Sequence, residues 1–166
     1  MTHITLGGNP IETTGTLPAL WTQAPEFTLT GVDLSDRSLH EFLGKRVILN
    51  IFPSVDTATC SLSVKRFNQD ASKFENTVIL CISRDLPFAQ QRFCAAEGIA
   101  NLHMLSEFKN THFSDSYGLA FANGPLEGLH SRAVLVIDEA GKILYTEQIS
   151  EIAHEPNYEA ALKSLG

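Results

Sequence analysis

Three cysteines, Cys60, Cys81 and Cys94, are the residues of this sequence most able to do covalent chemistry. Cys60 ends the stretch "PSVDTATC", Pro53 to Cys60, which follows directly on the apolar run "KRVILNIF". A thiol there is either a small hydrophobe filling a core or a nucleophile held at a helix start. Cys60, Val64, Phe67, Ala71 and Phe74 recur at helical spacing, which puts the thiol on the apolar stripe of its own helix and favours the first reading. Its place in the first helical turn, near N3 with Thr57 or Asp56 as N-cap, favours the second. Unpaired backbone N–H groups and the positive end of the helix dipole there stabilise a thiolate over a thiol.

Magnitudes set a condition on the nucleophile reading. An ordinary thiol is only about 3% ionised at pH 7. Holding one about 90% ionised takes about 3.4 kcal/mol of differential stabilisation. A helix end supplies about 0.3–1 kcal/mol, and at most ~2 in a favourable geometry. A cation is therefore also required.

The other two cysteines read differently. Cys81 sits in "VILCI" with apolar neighbours on both sides, the setting of an inert core thiol. Cys94, in "FAQQRFCAAEG", is expected to share a helical face with Gln90, Gln91, Glu97 and Gly98, with Phe88, Arg92, Ala95 and Ile99 making another face. On that polar side a core cysteine has no reason to be, and an exposed thiol invites a redox explanation.

Other chemistries lack their residues. The six histidines, at 3, 40, 103, 112, 130 and 154, do not pair with one another or with a cysteine at zinc spacing, so no metal is expected. The sequence contains no Cys-x-x-Cys, no G-x-x-x-x-G-K-[ST] and no G-x-G-x-x-G. Twelve Lys and Arg against nineteen Asp and Glu give a net charge of −7, which argues against a nucleic-acid partner. No apolar run approaches the length of a membrane span, and the N-terminus lacks the basic start and apolar block of a secretory signal. Three widely spaced cysteines make no structural disulfide framework, so a cytoplasmic protein is expected.

The 166 residues suit one domain with a substantial core. "MTHITLGGNPIETTG" predicts a β-hairpin around Gly7-Gly8-Asn9-Pro10, and residues 1–17 are expected to form an N-terminal extension. "SLHEFLG" predicts a short helical turn closed by Gly44, and Val47 to Phe52 a buried strand. A helix over "DTATCSLSVKRFNQDASKF", a strand over "NTVILCIS", a helix from Pro87 to the stop at Gly98 and a strand in "LHMLSE" follow. One helical turn is expected around Ser114 to Leu119. Two strands joined at Glu139-Ala140-Gly141 and a last helix in "EPNYEAALKSL" complete the chain. This order predicts an α/β protein, a central mixed sheet flanked by helices and similar to the thioredoxin fold. Chemistry in such sheets gathers at the carboxyl ends of strands, where "PSVDTATC" lies.

Proline, three residues, threonine, two residues and cysteine after a buried strand resembles the active-site motif of the peroxiredoxins. Within them the chain resembles the thiol peroxidase subfamily of the atypical two-cysteine type, over essentially its whole length, including "RFCAAEGI" and "SRAVLVIDEAGKI". The resemblance implies a peroxidatic Cys60 and a resolving Cys94 that form an intramolecular disulfide. It gives Thr57 the task of holding the sulfur and a peroxide oxygen, Pro53 that of shielding the pocket, and Arg132 that of the required cation. From spacing alone, Arg84 is an equal rival to Arg132. The resemblance further implies hydroperoxide substrates, alkyl ones included, thioredoxin as reductant, a homodimer and no cofactor. Two other readings stand beside it: a cysteine hydrolase with His130 or His112 as base to Cys60, and a redox-sensing binding module without turnover.

Overall fold

Alternating side chains on three central strands decide the architecture, because each strand has one apolar set for each face of the sheet. The computed structural model describes residues 2–166, the side chain of Ser72 excepted; Met1, the first residue of the expected extension, lies outside the described residues. The strands are β1 (His3–Leu6), β2 (Asn9–Glu12), β3 (Thr28–Gly31), β4 (Asp36–Ser38), β5 (Arg46–Ile51), β6 (Thr77–Ser83), β7 (His103–Ser106), β8 (Ala133–Ile137) and β9 (Ile143–Gln148). The helices are α1 (Ala58–Asp70), α2 (Pro87–Glu97), α3 (His112–Tyr117) and α4 (Tyr158–Lys163). Short 3-10 turns occupy Leu39–Phe42 and Ala71–Lys73.

Seven strands form one sheet in the order β4-β3-β7-β6-β5-β8-β9. β5, β6 and β7 run parallel, while β8 is antiparallel to β5 and β3 to β7. Val47, Leu49 and Ile51 of β5 join Leu80, Ile82, Ala133 and Leu135 in one core with Phe113 and Tyr117 of α3. Ile48 and Phe52 turn to the other face, where they meet Ile79, Cys81, Val134, Val136 and residues of α1, α2 and α4. The result is the thioredoxin-like mixed sheet with helices on both faces that the element order predicts.

Several boundaries shift: the strand expected at Val47 to Phe52 runs from Arg46 to Ile51, and the helix expected over residues 56–74 runs from Ala58 to Asp70. The hairpin turns on Gly7-Gly8 alone, and Asn9-Pro10 already belong to β2. Both glycines have positive φ, +57° and +83°, the backbone that a two-residue hairpin turn requires. The helix expected from Ser114 lies instead at His112–Tyr117. Glycine at 118, with φ +64°, ends it before the Leu119 expected as its last residue.

The hairpin is stitched to the rest of the chain. Thr5 N–H donates to the Ser150 carbonyl at 2.8 Å, and Ile152 N–H donates to the Thr5 carbonyl at 2.9 Å. Ile4 and Ile11 pack with Phe121 and Ile152 in a third apolar cluster. Gly124, at φ +80°, lies so close to this cluster that a Cβ there would meet Ile11 Cγ2 at 2.7 Å.

Candidate active site

β5 and β6 are parallel neighbours in register, so their carboxyl ends open on the same side of the sheet. The chain leaves β5 through Phe52 and Pro53 and enters α1 at Ala58. Thr57, not Asp56, is the N-cap: its extended backbone precedes the helix and its Oγ1 accepts from the Cys60 N–H at 3.4 Å. Cys60 is therefore at N3. Its side chain is fully buried, among Phe52, Val55, Val64 and Phe67. Ala71 and Phe74 continue the stripe as partly buried residues, so both features read from the sequence, stripe and first turn, hold together.

Arg132 stands just before β8, the antiparallel neighbour of β5, and is 2% exposed. Its Nε donates to the Ile152 carbonyl at 2.9 Å, and its Nη1 has no hydrogen-bond partner among the described residues. Pro53, Thr57 and Arg132 line one cavity of about 220 Å³. The other walls are largely apolar: Leu6 from the hairpin, Leu126 and Leu129 from the loop before Arg132, and Ile152. Arg84, the rival cation, is half-buried, directs Nη1 to the Gly128 carbonyl at 3.3 Å, and is not among the residues lining this cavity.

α2 is turned the opposite way from the sequence expectation. Gln90 is fully buried, donating to the Ser83 hydroxyl and the Leu105 carbonyl, while Phe88 is 64% exposed. The buried amide made a core face look polar. Cys94 is accordingly half-buried on the inner side, and that burial pushes its thiol up from its ordinary value. It lines a different cavity, of about 260 Å³, with Ile99, Leu102, His103 and Met104. Both Cys60 and Cys94 are free thiols. Cys81 is fully buried in β6, where the sequence places it, and burial pushes its thiol up to about 12, against a weaker opposing hydrogen bond from Asn50.

The histidines proposed as bases do not serve Cys60. His130 packs edge-on against Phe113, in the core on the other face of the sheet, and its Nε2 meets Glu107 Oε1 at 2.8 Å. His112 is exposed at the start of α3. Among the described residues, no group of three or more His, Cys, Asp or Glu is arranged to hold a metal ion.

Sequence reasoning missed two contributors. Thr59 donates its hydroxyl to the Ala153 carbonyl at 2.9 Å, fastening the first turn of α1 to the segment beside the hairpin. Asp85, after β6, accepts from Ser54 Oγ at 2.7 Å and from the Val55 N–H at 2.9 Å, inside the turn that leads to Cys60. An acidic residue two positions beyond a strand end was the available signal, and it reads equally well as a solvated turn.

Comparison with known proteins agrees with this geometry. The family model described as Redoxin matches residues 21–162. The thiol peroxidase of Mycobacterium tuberculosis is 54% identical over 166 residues, covering 100% of this chain and 99% of that protein, and the thiol peroxidase of Mycobacterium bovis matches equally. A peroxiredoxin-like protein from Aquifex aeolicus superposes with a TM-score of 0.93 at 32% identity, over 99% of this chain and 96% of that one. Thiol peroxidase from Chromobacterium violaceum, at 22% identity and a TM-score of 0.91 over 99% and 96% of the two chains, shares the fold. A cysteine at the third position of a helix, its threonine cap and a buried arginine sharing a cavity with that cap are thus found in a chain that belongs to the redoxin family, among the thiol peroxidases.

Proposed function

We propose that this chain reduces hydrogen peroxide and organic hydroperoxides with Cys60 as the attacking thiolate. The observation that carries the reading is the shared cavity of Thr57 and Arg132 beside the helix start that holds Cys60. Arg132 keeps a permanent charge in a buried site, which favours a thiolate and an oxygen that gains negative charge. Its unpartnered Nη1 is a donor suited to a peroxide oxygen. Pro53 closes the wall without offering an N–H, and Thr57 presents a hydroxyl beside the helix N-terminus.

The Cys60 thiolate attacks one peroxide oxygen. The O–O bond breaks, the distal oxygen leaves as alcohol or water after taking a proton, and Cys60 becomes a sulfenic acid. The Cys94 sulfur then attacks the Cys60 sulfur, an S–S bond replaces the S–O bond, and water leaves. An external dithiol, thioredoxin, reduces the disulfide and supplies the two electrons and two protons. No metal or organic cofactor enters the cycle. The largely apolar walls of the cavity suit the hydrocarbon end of an alkyl hydroperoxide.

The same reading makes the chain one thioredoxin-like domain over residues 1–166, with 1–17 as a hairpin extension, and a cytoplasmic homodimer. Exposed Leu86 and Phe88 at the start of α2 support the dimer as apolar surface available to a second copy. Among the described residues, no helix is long and apolar enough to cross a membrane.

Peroxide consumption with thioredoxin and its reductase tests the proposal. Cys60→Ser abolishes turnover, Cys94→Ser allows one sulfenic acid without efficient recycling, and Cys81→Ser stays active. Full activity in Cys60→Ser would overturn the assignment.

A further inference from the structure

Asp85 stands between the two elements that carry the reactive cysteines. It follows β6 and precedes α2, whose first residue is Pro87 and whose seventh and eighth are Phe93 and Cys94. Its carboxylate reaches across to the turn before α1. Oδ1 accepts from Ser54 Oγ at 2.7 Å, and Oδ2 accepts from the Val55 N–H at 2.9 Å and from Ser83 Oγ at 2.6 Å. A carboxylate only accepts, so three donors on one side chain make a fully engaged, charge-assisted clamp.

The clamp extends to Cys60 through consecutive bonds. Ser54 Oγ accepts from the Asp56 N–H at 3.1 Å, and the Ser54 carbonyl accepts from Thr57 Oγ1 at 3.2 Å and from the Thr57 N–H at 3.3 Å. Thr57 Oγ1 in turn accepts from the Cys60 N–H. Asp85 sets the Ser54 hydroxyl as a donor and anchors the Val55 N–H, and the Ser54 carbonyl in turn holds Thr57. Meanwhile Cys60 is fully buried on the inner face of α1, Cys94 is half-buried on α2, and both are free thiols, so forming the disulfide requires the turn or α2 to move. An exposed ion pair, Arg92 to Asp56 at 3.3 Å, also links α2 to the turn, but in solvent it contributes little.

We infer that Asp85 is the positioning residue that holds residues 53–57 in the peroxide-reactive arrangement, and that its release is what lets the oxidised Cys60 sulfur reach Cys94. This rests on the assignment of Cys60 as attacking and Cys94 as resolving thiol. Holding the turn favours the first step and delays the second, so Asp85 sets the interval during which the sulfenic acid is exposed to a second peroxide.

The test separates the two steps in single-turnover reactions of the full chain. Competition with a haem peroxidase for hydrogen peroxide gives the rate of Cys60 oxidation; acid quenching and mass spectrometry give the rate of disulfide closure and the yield of sulfinic acid. Asp85→Asn puts an amide donor against one of the three donors, and is expected to slow oxidation about tenfold while closing the disulfide about threefold faster. Its sulfinic yield at fixed peroxide falls. Ser54→Ala removes one hydroxyl without introducing a buried donor, and moves both rates in the same directions by smaller factors. Slowing of both steps together, or no change in either, as a merely structural turn would give, overturns the inference. Absence of Cys60 oxidation in the unaltered protein would instead overturn the peroxidase assignment beneath it.

Discussion

Thr57 and Arg132 line the same small cavity although one opens a helix and the other leads into an antiparallel strand on the neighbouring side of β5. Neither belongs to the local motif of the other. Sheet topology brings them together: β8 lies against β5, so the residue entering β8 meets the residues leaving β5.

Arg132→Met keeps much of the side-chain volume and removes the charge. It should slow Cys60 oxidation by roughly 10²–10³-fold, the range for losing a preorganised donor to developing charge. Alkylation of Cys60 by iodoacetamide at neutral pH should slow as well. Arg132→Lys restores charge without the planar fork and recovers only part of the rate. Equal alkylation rates in the unaltered and Met proteins would return the cation's role to Arg84 or to the helix end alone.

Thr57→Val removes the cap from α1 and the hydroxyl from the cavity. The cap alone predicts a loss of about 1 kcal/mol, read as a lower denaturant midpoint. Thr57→Ser keeps the oxygen and should recover both stability and rate, whereas Val recovers neither.

Leu6 tests whether the hairpin is part of the peroxide pocket. Leu6→Ala widens the apolar wall and should raise KM for cumene hydroperoxide about 10-fold, in line with about 1–3 kcal/mol of lost apolar contact. Hydrogen peroxide has no hydrocarbon end, and its KM should stay unchanged. Parallel shifts for the two substrates would place the hairpin outside the pocket.

Acid stability should report on Glu107. Burial alone would raise its carboxyl, but the bond from His130 and the Ser114 N–H overrule that and hold it below the ordinary 4.5. A carboxyl depressed in the folded state binds fewer protons there than in the unfolded chain. Its stabilising contribution is therefore present above pH 4.5 and declines as pH falls through the lowered folded value. Glu107→Gln should flatten the dependence of unfolding free energy on pH below 4.5. His130→Leu strands the buried carboxylate and should destabilise by about 3–5 kcal/mol near neutrality, the cost of leaving a buried charge without its partner.

The central strands and α1 were legible because their apolar patterns are long and uninterrupted. Val47 to Phe52 and the stripe from Cys60 to Phe74 needed no tertiary information. α2 was misread for a physical reason: Gln90 is a polar residue whose two donors are satisfied inside the core, and Phe88 is an aromatic left outside. Hydrophobic periodicity assigns both to the wrong side. Asp85 reads from sequence as a solvated turn residue, because its partners Ser54 and Val55 are neighbours only through the parallel register of β5 and β6. The hairpin was readable as a hairpin, but its contact with Arg132's cavity is a long-range packing outcome.

Full burial of Cys60 among phenylalanines and valines carries a consequence for timing. A thiol is at home there; a sulfenic acid brings an extra oxygen and a hydroxyl donor into a space lined by hydrocarbon. On the proposed mechanism, oxidation would place a polar group in an apolar surround, which would favour an outward shift of the first turn of α1. On that mechanism, the altered polarity of one sulfur would itself favour opening of the turn, with no further signal that peroxide has arrived.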